Sequence, residues 1–572
     1  MCTAITGGSY GNQRGGRRTR GAGCMNDVPG VAALPGSSGA VPIGGGEMPY
    51  PARPSLRRTR VSAGMRWWVG AIGFLFLAAF VLRIPAFFPV GLTPDEGLYM
   101  VQAREWLRGG LPYLAVWDMH PLGVPAVFAA TFALLGESLF SIRLLGIISV
   151  TAAASALILV VRAAGGSRST GLAAGLLYVG QSLLLNGSST NTEILFAPLV
   201  ALSMAATLRT CRRILEGGAP PAWRDMLLMG VPIGLALVMK SVVVMEGSAA
   251  FLLVVLVAWR CHALTLPRLA GLALCYAMVC AAPILLAGLP YLLRGELLAY
   301  AFPNFVAPLN YITESASRTE ALRQVALALL GFCWAFGLGA VALVALVWRP
   351  RAQGRPAGLG LLLLGCTFWF AAATAGIVTL SKFYDHYFLT WLAPLSVVGA
   401  VGARQLARSL RPAEARLAFA LVVLAASLSP WAIALSERVR TGFGLRNPLV
   451  EVARDVSAVI RPGDPIYVVN EDPIIYMLAH GGVATPYVFP QHLADQTDSR
   501  LGSDSNPAMI DQLQEVARVL GQHPRAIVLH RGRWSSVRPD AAGLITEALA
   551  RDYHLANTVE GAGGTVEIWG LR

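Results

Sequence analysis

Apolar residues run along this chain in long stretches separated by short arginine-bearing ones, until about residue 438, where the texture turns mixed and polar. An apolar run of ~17–25 residues is the length of a helix that crosses a bilayer, because in hydrocarbon each backbone amide and carbonyl must be satisfied within its own segment. Such runs lie near 67–87, 143–161, 170–186, 192–208, 226–240, 242–259, 269–288, 322–347, 358–380, 387–403 and 416–435, which predicts about eleven spans. The two around Lys240 are short enough to form one broken hairpin. Pro121 to Leu135 is apolar but short and interrupted by Pro125, so it reads as a helix lying along the membrane surface, joined by a second from Pro94 to Arg108. Past 438, the runs 465–470, 526–530 and 565–570 have strand character, and 449–460, 511–522 and 541–552 have helical spacing.

Charge tests this parse. Arginines cluster in alternate loops, at 162–168, 209–224, 260–268, 349–355 and 404–416, whereas the opposite loops carry only Arg104, Arg108, Arg294, Arg318 and Lys382. Basic loops stay in the cytoplasm, so the N-terminus is expected inside and the C-terminal region outside. The expected fold is therefore mainly α: a multi-pass protein of the inner (plasma) membrane with a small external, periplasmic α/β domain. The expected divisions are a tail at 1–65, a membrane domain at 66–437 and the external domain at 438–572. The tail is rich in Gly, Pro, Ser and Arg and reads as disordered, and a start at Met48 or Met65 would remove most of it. The run after Arg66 is followed by Arg83-Ile-Pro and Pro89, which offer no small-residue cleavage site, so it reads as an uncleaved first span.

Composition agrees. Of 572 residues, 55% are hydrophobic and 14% charged, against ~25% charged in soluble domains, and mean hydropathy is +0.57. The net charge of +14 resides in the tail and short loops, which argues for membrane orientation and against nucleic acid as a partner. Lys240 and Lys382 are the only lysines among 46 basic residues. The eight cysteines include no CxxC pair and none in the polar C-terminal third, and the eight histidines include no HxxxH, so neither a disulfide framework nor a zinc site is expected. No motif requires a cofactor, although adjacent carboxylates are compatible with a divalent metal.

Those carboxylates are Asp95 and Glu96, in Thr93-Pro94-Asp95-Glu96-Gly97-Leu98-Tyr99. Thr93 as N-cap, Pro94 at N1 and Glu96 at N3 satisfy a capping box, which accounts for every residue of the set except Asp95. Downstream come Tyr99, Gly109-Gly110, Pro112-Tyr113, Trp117-Asp118-Met119-His120-Pro121, Arg143 and Asn191-Thr192-Glu193. This series of Asp-Glu-x-x-Tyr, helix, Gly-Tyr-like turn, His-Pro-Leu, surface helix and Arg resembles the GT-C membrane glycosyltransferases. It is most similar to the protein-mannosyltransferase-like and aminoarabinose-transferase-like group, glycosyltransferase family 39. The chain departs from that pattern at His120-Pro121-Leu122, which lacks the second proline, and at Glu193, where relatives often carry aspartate.

The resemblance implies transfer of a hexosyl or pentosyl group from a polyprenyl-phosphate sugar donor to a lipid, glycan or protein acceptor at the outer face. Such chemistry asks for a base on the acceptor hydroxyl, cations for the departing phosphate and carboxylates near the anomeric centre. Asp95, Glu96 and Glu193 are the candidate catalytic residues, and Tyr99, His120, Arg143, Lys240, Lys382, Tyr384 and His386 the candidates for binding substrate. Each has a plainer reading: Arg143 snorkelling to headgroups, Glu193 complementing a helix dipole, Lys240 pairing with Glu246, and the Ser381–Tyr387 segment forming an aromatic belt. The rival class is a transporter or lipid flippase, which favours paired repeats; no internal repeat is visible. The external domain carries Asn470-Glu471-Asp472 and His480-Gly481-Gly482 in loops but no triad, phosphate loop or metal motif, and no site residues are expected there.

Overall fold

The computed structural model describes residues 63–572 apart from 89–92, 262–263, 313–314, 349–356, 409, 441, 443–445, 496–505 and 562. The tail expected at 1–65 lies outside the described residues up to position 62, and Ala63 already opens the first helix.

The helices follow in order: α1 Ala63–Arg83, α2 Pro94–Leu107, α3 Gly123–Leu135, α4 Leu139–Ala163, α5 Arg168–Gln181, α6 Thr192–Leu215, α7 Trp223–Leu237, α8 Val244–Arg260 and α9 Leu266–Leu293. Short turns α10 Leu297–Ala301 and α11 Ala307–Ile312 flank a π-helical turn. Then come α12 Arg318–Gly331, α13 Cys333–Trp348, α14 Ala357–Leu380, α15 Leu392–Ala407 and α16 Pro412–Arg440. All eleven apolar runs are helical, but among the described residues eight helices are long and apolar enough to cross a membrane. A ninth is α12 with α13, bent by 73°. The expected count of eleven is not reached because α5 and α7 have only 14 and 15 residues, below the ~17 a span needs. The two segments expected as surface helices form α2 and α3.

Beyond α16 lie α17 Pro448–Val459, β1 Pro465–Val468, α18 Ile474–Leu478, β2 Gly482–Val483, α19 Gln512–Gly521, β3 Ala526–His530, α20 Pro539–Asp552, β4 Tyr553–Gly561 and β5 Gly564–Leu571. The five strands form one sheet in the order β2-β1-β3-β5-β4. β1 is parallel to β2 and β3, and β5 is antiparallel to β3 and β4.

α2 holds the two parts together. From Glu96 to Arg104 every residue is buried, because the helix has a partner on each side. Leu98 and Val101 enter the core of the α/β domain with Val452, Ile466 and Ile475, while Tyr99, Met100 and Ala103 pack with Phe128 of α3, Ile142 of α4 and Leu195 of α6. Arg104 donates to the carbonyls of Tyr476 (2.6 Å) and Gly481 (2.9 Å), capping the end of α18. Gly97 is required by closeness: a Cβ there would lie 2.6 Å from Asp472 Oδ1 and 2.9 Å from Ile474 N.

Candidate active site

A cavity of about 240 Å³ opens between the membrane helices and the α/β domain. Its walls come from the start of α2 (Thr93, Pro94, Asp95, Leu98, Tyr99), the loop before α3 (Asp118, Met119, His120), the approach to α6 (Asn186, Asn191, Thr192, Glu193) and Lys240. Tyr311, Tyr384 to Tyr387, and Phe489 and Gln491 of the α/β domain complete it. All the membrane-domain contributions come from the arginine-poor loops. Residues of the arginine-rich loops, Arg162, Arg404 and Arg408 among them, line a separate cavity instead.

Lys240 reaches the wall because α7 stops at Leu237 and the chain runs extended at Lys240 before a 3₁₀ turn leads into α8. The Gly123 amide donates to the Val238 carbonyl at 2.7 Å, holding this break against α3. The Lys240 ammonium pairs with the Glu193 carboxylate and lies 3.9 Å from the centroid of the Tyr387 ring. It does not take Glu246 as its partner, the arrangement its spacing in sequence suggested. Glu193 offers Oε1 to Lys240, and its buried Oε2 has no hydrogen-bond partner among the described residues. Leaving such an oxygen unsatisfied costs about 1–3 kcal/mol, and the buried Oε2 of Glu96 is in the same condition.

Asp118 and His120 form a dyad that the sequence reading did not assign. Both carboxylate oxygens of Asp118 lie within 3.1 Å of His120 Nδ1, and Oδ1 also accepts the Met119 amide at 2.7 Å. Burial alone would disfavour the imidazolium, but the charge and hydrogen bond of Asp118 outweigh it and raise the His120 pKa. Burial likewise pushes the Asp118 carboxyl up, and the His120 charge and hydrogen bond, aided by the Met119 amide, bring it below its ordinary value. His492 of the α/β domain stays neutral, since burial drives it down to about 4; its ring stands edge-on to Trp117 with centroids 4.8 Å apart. The loop is braced by Tyr113, whose hydroxyl donates to the His120 carbonyl at 2.9 Å and accepts from Asn304 at 2.9 Å.

Other candidates divide. Asp95, half-buried, lies in the cavity wall, as do Tyr99, Tyr384 and His386. Tyr384 and His386 stack with rings 5.9 Å apart, so this segment borders the cavity instead of forming a mere aromatic belt. Lys382 is buried one layer back, its ammonium 4.2 Å from the centroid of Tyr311, a wall residue. Glu96 and Arg143 are not wall residues. They pair with each other, Glu96 also accepts the Thr190 amide at 2.9 Å, and Arg143 donates to the Ala86 carbonyl at 3.0 Å. This corrects two expectations. Arg143 does not snorkel, and the capping box does not form, because Arg143 and the Thr190 amide give Glu96 charge-assisted partners that are stronger than a frayed helix end. Thr93 instead donates to Asn191 Oδ1 at 3.4 Å. The α/β domain, to which the sequence assigns no site residues, contributes Phe489 and Gln491 to the wall. Among the described residues no group of three or more His, Cys, Asp or Glu is placed to hold a metal ion.

Comparison with known proteins follows the same lines. The dolichyl-phosphate-mannose-protein mannosyltransferase family matches residues 119–286, from the dyad loop into α9. The crystal structure of ArnT from Cupriavidus metallidurans bound to undecaprenyl phosphate superposes with a TM-score of 0.60 at 14% identity, covering 89% of this chain and 98% of that one. The same protein in the apo state gives 0.58 at 14% identity with the same coverage. This chain therefore has the ArnT fold, and both findings agree with the GT-C resemblance carried by the Asp95-to-Arg143 series. No curated protein sequence matches.

Proposed function

We propose that this protein is a membrane glycosyltransferase that moves a sugar from a polyprenyl-phosphate donor to an acceptor hydroxyl at the outer membrane face. The observation that carries the reading is the single cavity holding Asp95, the Asp118–His120 dyad and the Glu193–Lys240 pair at the edge of the membrane bundle. The family match and the ArnT fold, one of whose structures holds undecaprenyl phosphate, support the lipid-phosphate donor.

Asp95 has the position of the base: it takes the acceptor proton as the oxygen bonds to the anomeric carbon. The bond from that carbon to the donor phosphate breaks, and its electron pair leaves on the phosphate. His120, whose protonated form Asp118 favours, and Lys240, held by Glu193, meet that charge as preorganised donors. Glu96 and Arg143 are positioning residues that fix the start of α2 against α4.

The test is release of polyprenyl phosphate by the purified protein from a panel of polyprenyl-phosphate sugars, with and without acceptors. Turnover of one donor supports the reading. Vectorial movement of a labelled lipid with no donor turned over supports the flippase class instead.

A further inference from the structure

A second cavity, about 420 Å³, lies beside the first, between the start of α2 and the α/β domain. The two share Thr93, Pro94, Phe489 and Gln491 in their walls, so a ligand filling the second ends against the helix turn that carries Asp95. Its lining differs in kind. It holds no lysine or histidine and one arginine, Arg533, whose side chain is half-exposed; facing it are Glu471, Asp472 and Asp495. In a chain of net charge +14, this wall is locally acidic.

Glu471 is the deepest of the three and more than nine-tenths buried. Its Oε1 accepts the Asp472 amide at 3.1 Å. Among the described residues its Oε2 makes no hydrogen bond; it lies 3.8 Å from His530 Nε2, and Arg533 stands 3.6 Å from Oε1. Asn470 holds this wall rigid, since both ends of its amide are engaged by the backbone of His530, at 3.1 and 2.7 Å. Burial raises the Asp472 carboxyl to about 7 in spite of the Ile474 amide that it accepts, so near neutral pH it donates as well as accepts. Phe489 and Pro94 supply an apolar floor. Open carboxylate acceptors beside an amide and an aromatic face suit a ligand rich in hydroxyl donors, and an acidic wall repels phosphate.

We infer that this second cavity is the acceptor subsite, and that it takes an uncharged, hydroxyl-rich glycan in preference to a phosphate-bearing acceptor. The inference rests on the glycosyl-transfer reading for its role as acceptor site, but the binding it claims is measurable without turnover.

The test uses the full-length protein in lipid nanodiscs, titrated by saturation-transfer NMR with a neutral hexose pentasaccharide and with its phosphorylated counterpart. The expected result is saturable binding of the neutral sugar and at least ~10-fold weaker binding of the phosphorylated one, a difference of about 1.4 kcal/mol. Glu471→Gln, which keeps shape but removes charge, and Asn447→Trp, which fills the cavity from a half-buried rim position, should each weaken the neutral sugar about tenfold. Melting should stay at wild-type level in both. No saturable binding, binding untouched by both variants, or equal affinity for the phosphorylated sugar would each overturn the inference. Sugar binding without any donor turnover would instead sink the glycosyl-transfer reading and leave a glycan site; turnover without sugar binding would do the reverse.

Discussion

The Glu96–Arg143 and Glu193–Lys240 pairs are both buried, and both join elements at the arginine-poor end of the bundle, yet only the second borders the cavity. The first is enclosed by backbone, the Thr190 amide on the acid and the Ala86 carbonyl on the base. The second belongs to the cavity wall and lays the ammonium against Tyr387. Each acid keeps a buried Oε2 without a hydrogen-bond partner among the described residues, so what ties a buried charge to the site here is its place in the cavity wall, not unused valence. Asp95 and Glu96 repeat the contrast within one turn: successive helix residues point about 100° apart, so one acid faces the cavity and its neighbour faces α4.

The largest effect should fall on the enclosed pair. Arg143→Met leaves Glu96 buried without a counter-charge, and breaking such a pair costs about 3–5 kcal/mol. A much lower melting temperature and a poor yield of folded protein are expected, with partial recovery in the double variant Glu96→Gln/Arg143→Met. Wild-type melting together with lost turnover would move this pair into the reacting site and erase the contrast.

Next comes Asp95→Asn, which keeps size and removes the basic oxygen. Sugar transfer should drop at least ~100-fold, equivalent to about 3 kcal/mol of barrier. Its stability cost, one carboxylate in a helix first turn, should be only about 0.3–1 kcal/mol. Glu96→Gln should show the opposite profile, with folding hurt more than chemistry. Near-normal turnover in Asp95→Asn would leave the segment as no more than a helix start.

Lys240→Met probes the open pair. Because both residues stand in the cavity wall and Lys240 also rests on the Tyr387 ring, the loss of folding should be smaller than in Arg143→Met. The donor KM should rise about tenfold, or 1.4 kcal/mol. An unchanged donor KM would make Lys240 a support for Glu193 alone.

Much of this architecture is legible in the sequence. Span-length apolar runs and the alternation of arginine give the helices and the side on which the cavity residues gather, and the short apolar run after Pro121 gives α3. The unread parts have physical reasons. β4 was missed because its central residues, His554 to Thr558, are all exposed, apolar Leu555 and Ala556 included, and a bulge near Leu555 interrupts the alternation. Asp118 and His120 sit two apart in a loop, where no periodicity links them. Phe489 and Gln491 reach the cavity only through docking of α2 on the α/β domain, a contact that no local pattern encodes. The partner of Lys240 was misjudged because Glu246 is near in sequence, whereas Glu193 is brought close by the packing of α6 on α7.

The smallest effect, and the most specific to the cavity, is a shift in pH dependence. His120 has a folded pKa above its unfolded value because Asp118 outweighs burial. The stability this contributes is complete below the unfolded value, ~6.5, and is lost as pH rises through the raised folded value. The cation offered to the donor phosphate disappears over the same window, so transfer should show a falling limb on its alkaline side. His492 cannot produce that limb, since at about 4 it is already neutral there. Asp118→Asn removes the charge that raises His120 and should move the limb to lower pH, while transfer well below it stays close to wild type. The enclosed pair predicts no such movement: Glu96→Gln should lower the whole profile without displacing it. The measurement is kcat/KM for the donor across pH 5–9 in the three proteins. A limb that stays in place in Asp118→Asn would assign it to another group and leave the dyad as a brace for the loop.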